Sequence, residues 1–98
     1  MTITKTADGS ALTIALEGRL DTATAPVLEK ELKDALNGVT DLTFDFEKLE
    51  YISSAGLRVL LAAWKTMDRK GSMRIVHVAE IIMEIFEVTG FSEILTIE

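Results

Sequence analysis

Tyr51-Ile52-Ser53-Ser54-Ala55-Gly56-Leu57-Arg58 is the stretch that decides how the rest of the chain is read. An apolar pair leads into two serines and two very small residues. A helical pattern follows at once: Leu57, Leu60, Leu61 and Trp64 recur three and four apart, the spacing of one helix face. Serine ahead of such a run is an N-cap residue, because its hydroxyl oxygen can accept a bond from the unpaired N–H groups of the first turn. A helix N-terminus also carries partial positive charge, so the same place suits a phosphate.

Upstream, Asp41 to Glu47 alternates Leu42, Phe44 and Phe46 with Thr43, Asp45 and Glu47. This is a strand with one apolar and one polar face, as in a sheet covered on one side. Lys48 to Ile52 is read as the connection from that strand to the serine helix. Before it, Pro26 fits the first turn of a helix capped by Asp21 or Thr22, with Val27, Leu28, Leu32, Ala35 and Leu36 on its inner face. Asn37-Gly38 ends that helix. Earlier still, Thr2 to Thr6 and Ala11 to Glu17 read as a hairpin about the turn Ala7-Asp8-Gly9-Ser10, and Gly18 to Asp21 reads as a second turn. Downstream, the serine helix runs to about Lys70, ahead of Gly71. Met73 to Val78 reads as a central strand, and Ala79 to Thr89 as a helix with Ile82, Ile85 and Phe86 inward, stopped by Gly90. Phe91 packs back on the helix end, and Leu95 to Glu98 is a short strand or tail. The order is ββαβαβαβ. Strand–helix–strand steps of this length imply parallel neighbours with right-handed crossovers. The expected fold is a single α/β domain over residues 1–98. Its sheet is mixed, mostly parallel, with four to five strands and helices mainly on one face.

The 98 residues suffice for one core and not for two. With 48% hydrophobic and 27% charged residues the chain has a globular balance. A net charge of −6 disfavours nucleic acid and anionic membranes. The chain contains no cysteine, so disulfide and thiolate chemistry are excluded. No basic start precedes a long apolar run, and the longest apolar run, Val59 to Trp64, is too short to cross a bilayer. Neither a signal peptide nor membrane insertion is expected.

Catalytic constellations are missing from the sequence. The one histidine, His77, falls inside the expected fourth strand, where a packed or edge residue is the ordinary role. The nucleophile elbow Gly-x-Ser-x-Gly is absent, as are glycine-rich phosphate loops. Asp41, Asp45, Glu47 and Glu50 are spaced like the wet face of a strand rather than a metal site. The chain is not expected to be an enzyme or to hold a cofactor or metal. The two serines are either plain caps or a modification site. Two hydroxyls exceed what one cap needs, and Gly56 costs about 1 kcal/mol relative to alanine inside a helix, so it wants a reason such as close approach of another backbone or a nucleotide. Opposite the inner face of the serine helix, Val59, Ala62, Ala63 and Thr66 are small and weakly polar. Either a neighbouring helix or a partner protein covers them.

Three motifs in order resemble the STAS domain of anti-sigma factor antagonists, over essentially the whole chain. They are Gly18-Arg19-Leu20-Asp21, then Phe44 to Leu57 containing Ile52-Ser53-Ser54-Ala55-Gly56-Leu57, then Phe86-Glu87-Val88-Thr89-Gly90-Phe91. The resemblance implies a phosphorylation-switched binding module in a partner-switching pathway that regulates transcription. Unphosphorylated, it would bind an anti-sigma factor that is also a serine kinase, freeing a sigma factor; a serine phosphatase would reset it. Aligned on Gly56-Leu57, the phosphoacceptor falls on Ser54. Ser53 stands where the family's aspartate is usual, and is the second candidate. The partner-binding surface so implied is Asp21, Ser53, Ser54, Ala55, Gly56, Leu57 and Arg58, with Asp21 near Ser54 in space. A cytoplasmic location is expected, since the absence of cysteine fits a reducing cytosol; oligomeric state is open. The alternative in the same fold is an accessory subunit that braces a lipid-transport ATPase.

Overall fold

The computed structural model describes all 98 residues, Met1–Glu98. Five strands form one sheet in the order β1-β2-β3-β4-β5: Thr2–Asp8, Ala11–Leu20, Asp41–Ile52, Ser72–Val76 and Thr96–Ile97. The first pair is the expected antiparallel hairpin; every other pair is parallel. Helices α1 (Ala25–Ala35), α2 (Ser54–Asp68) and α3 (Glu80–Thr89) are the crossovers, and a short 3-10 turn, Phe91–Glu93, leads into β5.

Hydrophobic alternation places the core. Leu12, Ile14, Leu16, Leu42, Phe44, Phe46, Met73 and Ile75 are buried on one sheet face, in one cluster with Leu28, Leu32, Leu57, Leu60, Ile82 and Phe86 from the three helices. The opposite face carries Thr13, Thr43, Asp45 and Arg74 and has no helix over it. Thr43 is the one buried polar residue, and its hydroxyl accepts a bond from Arg74 Nε at 3.0 Å.

Four boundaries differ from the sequence expectation. Gly18 to Leu20 are not a turn: β2 runs on to Leu20, with Gly18 at φ +101° inside the strand. Lys48 to Ile52 are not a connector: β3 extends to Ile52 and stays paired with β2 throughout. The pairing shifts between Ala15 and Glu17 and again between Gly18 and Arg19, so β3 takes an extra residue at each step. Buried positions therefore pass from Phe46 to Leu49 to Ile52, and period-two alternation is lost where the strand continues. The cap of α1 is Thr24, not Asp21 or Thr22. His77 lies just beyond β4, exposed, with φ +58°, rather than within the strand.

Helix phases shift as well. In α1 the buried stripe is Ala25, Leu28 and Leu32, continuing to Leu36, while Val27 is 54% exposed. In α2 the stripe is Gly56, Leu57, Val59, Leu60, Ala63 and Met67; Leu61 and Trp64 are only half-buried at its margin. The small residues Val59 and Ala63 face Leu32 and Leu36 of α1 across a groove, so a neighbouring helix covers them. Ala62 and Thr66 stay exposed on the groove's wall. These phases give a direct check by denaturant unfolding. Leu28→Ala is expected to cost about 2–5 kcal/mol as a core truncation, whereas Val27→Ser is expected to stay within about 0.5 kcal/mol.

Candidate functional site

Parallel pairing of β2 and β3 brings their C-terminal ends together, and the candidate residues leave from those ends. Leu20 pairs with Ile52, and one residue further the Ser53 amide still donates to the Leu20 carbonyl at 2.9 Å. Asp21 and Ser53 therefore depart from adjacent strand ends. The resemblance implies Asp21 near Ser54; the structure sets Asp21 beside Ser53 at the strand ends, and no bond joins Asp21 to either serine.

Asp21 organises its own turn instead. Its Oδ1 accepts from the amides of Ala23 (3.0 Å) and Thr24 (3.1 Å) and from the Thr24 hydroxyl, while the Thr24 hydroxyl accepts from the Asp21 amide at 2.8 Å. The Thr24 amide above all, with the Ala23 amide and nearby Arg19, holds the Asp21 carboxyl below its ordinary value, against a smaller opposing effect of burial. Asp21 is thus ionised and half-buried at the rim of the site.

The two serines have separate places. Ser53 is the N-cap of α2 in extended backbone; its carbonyl accepts from Leu57 N at 2.9 Å, and its hydroxyl oxygen accepts from Gly56 N at 3.5 Å. Ser54 is the first helical residue, and it is exposed with its hydroxyl bonded to no protein group. Arg58, exposed four residues on, shares its helix side.

Gly56 and Leu57 belong to the interior. A Cβ on Gly56 would sit 2.7 Å from Leu20 Cγ and 2.9 Å from Ile52 Cγ1. The close approach that this glycine serves is internal, the seating of α2 on the ends of β2 and β3, and not a partner or nucleotide. Of the seven residues implied as a partner surface, Ser54 and Arg58 are exposed, Asp21, Ser53 and Ala55 are half-buried, and Gly56 and Leu57 are buried. The last two can shape that surface only from beneath.

Two features were not foreseen. The Arg19 guanidinium lies 4.4 Å from the centre of the Tyr51 ring and 3.8 Å from the Asp21 carboxylate. The two residues are strand partners, which becomes visible only once the shifted register is known. On the open sheet face His77 Nδ1 and Asp45 Oδ1 are 3.0 Å apart, and Glu47 brings a third donor atom within 4.8 Å of both. Reading the acids as one wet strand face left out the histidine that joins them across from β4. Asp45 and His77 satisfy each other as a hydrogen-bonded pair. It lies back along β3 from the serines, so His77 is not placed to act as their base.

The hydrogen bond to Asp45, then its charge, raises the His77 pKa. Burial pushes Asp45 up, but the His77 and Glu47 bonds outweigh it and Asp45 ends lowered. The contribution from His77 is fully present below the unfolded histidine value of about 6.5 and is lost as pH rises through the raised folded value. Asp45→Asn is expected to bring the His77 midpoint down, read from the ring protons by NMR; an unchanged midpoint would refute the pairing. At the helix start, Gly56→Ala is expected to cost about 1–3 kcal/mol through the clash with Leu20 and Ile52, despite alanine's better helix propensity. Ser53→Ala should cost about 0.5–1 kcal/mol as a lost cap, and Ser54→Ala less than about 0.5 kcal/mol. Urea unfolding of the three variants checks this order.

Residues 3–96 match the family described as "Mlab, STAS domain". A Bordetella bronchiseptica protein, BtrV, described as a candidate anti-sigma factor antagonist, is 35% identical over 85 residues, spanning 85% of this chain and 73% of that protein. The Bacillus subtilis anti-sigma-B factor antagonist is 27% identical over 85 residues, spanning 86% and 78%. Among solved structures, a Thermotoga maritima candidate anti-sigma factor antagonist superposes with a TM-score of 0.90 at 17% identity, over 97% of this chain and 84% of that one. The antagonist SpoIIAA matches at 17% identity in its unphosphorylated form (TM-score 0.78, 99% and 87% of the chains) and its phosphorylated form (0.77, 99% and 91%). These structural likenesses establish a shared fold.

Proposed function

The chain belongs to the STAS domain family of anti-sigma factor antagonists, and from that premise we propose that it is a binding module switched by phosphate on Ser54. Without phosphate it binds an anti-sigma factor and so frees a sigma factor. That anti-sigma factor is also the serine kinase that modifies Ser54, and a serine phosphatase reverses the step. The chain itself is a substrate of this chemistry and catalyses none of it. It contains no helix long and apolar enough to cross a membrane, and the proposed exchange of partners takes place in the cytoplasm.

The observation that carries this reading is the division of labour between the serines. Ser53 spends its hydroxyl as the helix cap, whereas Ser54 presents a free hydroxyl to solvent one residue later. A kinase needs an exposed nucleophilic oxygen, and here that oxygen can be modified without removing the cap. A phosphate adds a charge of about −1.5 to −2 at neutral pH. At the first position of α2 the helix dipole favours it, and Arg58 on the same helix side can pair with it. The phosphorylated domain therefore keeps its fold, consistent with the nearly equal likeness to both forms of SpoIIAA. Asp21, already ionised beside the site, adds to the negative field that the phosphate creates. Bulk and charge over Ala55 then expel a partner surface that had been seated there.

A second reading keeps the fold and changes the role, to an accessory subunit bracing a lipid-transport ATPase. It draws on Ser53, which stands where the antagonists' phosphorylation motif has an aspartate. Mapping decides between them. In cell lysate with labelled ATP, phosphate is expected on Ser54, retained in Ser53→Ala and lost in Ser54→Ala. Ser54→Asp is expected to weaken capture of the anti-sigma factor by about tenfold or more. Phosphate found on Ser53 alone, or full binding by Ser54→Asp, would overturn the switch. Capture of a transporter ATPase with no phosphate transferred would establish the second reading.

A further inference from the structure

Helix α3 has an outer face that the proposed switch does not use and that only Ile85, at its margin, shares with the core. Ile82 and Phe86 point inward and are fully buried. On the other side, Ile81, Ile85 and Val88 recur four and three residues apart, the spacing of a single ridge. Ile81 is 59% exposed and Val88 87% exposed, with Ile85 half-buried between them. With Glu84 and Thr89 these three line a shallow patch whose exposed surface is almost wholly carbon. A solvated helix of this length would ordinarily carry charge along such a line.

The charge around the ridge is of one sign. The chain has sixteen acids and ten bases, and after Arg74 there are five glutamates and no lysine or arginine. Glu80, Glu84 and Glu87 are exposed on α3, and none of them is in an ion pair. Three uncompensated glutamates of α3 therefore share the helix with the exposed apolar ridge.

We propose that this face of α3 is a second docking surface, whose occupant is an amphipathic helix of a partner protein with an apolar stripe flanked by lysine or arginine. The stripe would cover Ile81, Ile85 and Val88, and the basic flanks would meet Glu80, Glu84 and Glu87. Charge complementarity selects this occupant over the other two that an apolar ridge could attract. A second copy of the chain would set these glutamates against their own counterparts with no base to offset them. An anionic bilayer would be repelled by the same residues.

The test uses the full chain, isotopically labelled, and a synthetic amphipathic helical peptide of leucine and lysine as the probe. A twin peptide with glutamate in place of lysine is the control. The expected result is amide shift changes centred on residues 80–89, binding that weakens as salt rises, and little binding of the acidic twin. Val88→Gln combined with Ile81→Gln is expected to weaken the lysine peptide by about tenfold or more. Both positions are exposed, so thermal unfolding of the variant should match the parent and separate a lost contact from a lost fold. Shifts centred elsewhere, equal binding of the acidic twin, or no binding would overturn the proposal. So would a concentration-dependent dimer in sedimentation that the same substitutions abolish, which would assign the ridge to a second copy. Binding to zwitterionic lipid vesicles that these substitutions abolish would assign it to a lipid surface instead. No phosphate transfer enters the readout, so the outcome is independent of the role of Ser54.

Discussion

The parallel pairing of β2 with β3, carried past two register shifts to Leu20 and Ile52, is the constraint on which the site depends. It brings the two strand ends side by side, and α2 is seated on them. Gly56 makes the seating possible, because any side chain there would collide with Leu20 and Ile52. The Ser53 amide adds a last bond to the Leu20 carbonyl. Together these contacts fix where α2 begins, and with it the position of each serine. If the strands paired one residue differently, every side chain beyond the shift would change face.

From that fixed origin the two hydroxyls acquire different chemistry. An N-cap hydroxyl is engaged with the backbone and is half-buried; the next residue points outward, with its oxygen free. Asp21 reaches the same rim from β2, yet its carboxylate is spent on the turn before α1. Its contribution to the site is therefore a fixed negative charge, not a bond to a serine. A phosphate on Ser54, as proposed, would add to a surface that is already polarised, with Arg58 the basic group on the same helix side. Such a switch needs no bistable fold, because the change occurs where the partner would sit.

The sheet is covered on one face only, and its polar face has its own order. Arg74 bonds to Thr43, and His77 to Asp45, across the β3–β4 boundary. His77 adopts a left-handed backbone, uncommon for a residue with a Cβ. On the covered side the three helices share the work unequally. Leu32 and Leu36 of α1 cover the small residues Val59 and Ala63 of α2, while α3 leaves an apolar ridge outside the core. Surface charge follows this asymmetry, since no lysine or arginine follows Arg74 to offset the glutamates of α3.

Much of this was written in the sequence. Periodicity alone located three helices and the hairpin, because side chains that alternate or recur every third and fourth position have one way to share a core. The phase of α3 was legible for that reason at Ile82 and Phe86, but not at Ile85, which was expected inward and lies half-buried at the margin of the core; the one-sided sheet was legible from Thr43, Asp45 and Glu47. The motif around Ser53 and Ser54 also pointed to the proposed site. What the sequence could not hold was set by contacts between distant segments. The extensions of β2 and β3 were hidden because bulges break the alternation that betrays a strand. The phase of α1 was hidden at Val27, and what covers Val59 on α2 stayed open between a neighbouring helix and a partner, since which flank is buried depends on where the neighbouring helix lies. The need for Gly56 and the pairing of His77 with Asp45 each join residues more than thirty positions apart. Local pattern determined the elements and named the serines. Only the tertiary structure decided which serine is occupied and which is free, because that follows from where α2 meets the ends of β2 and β3.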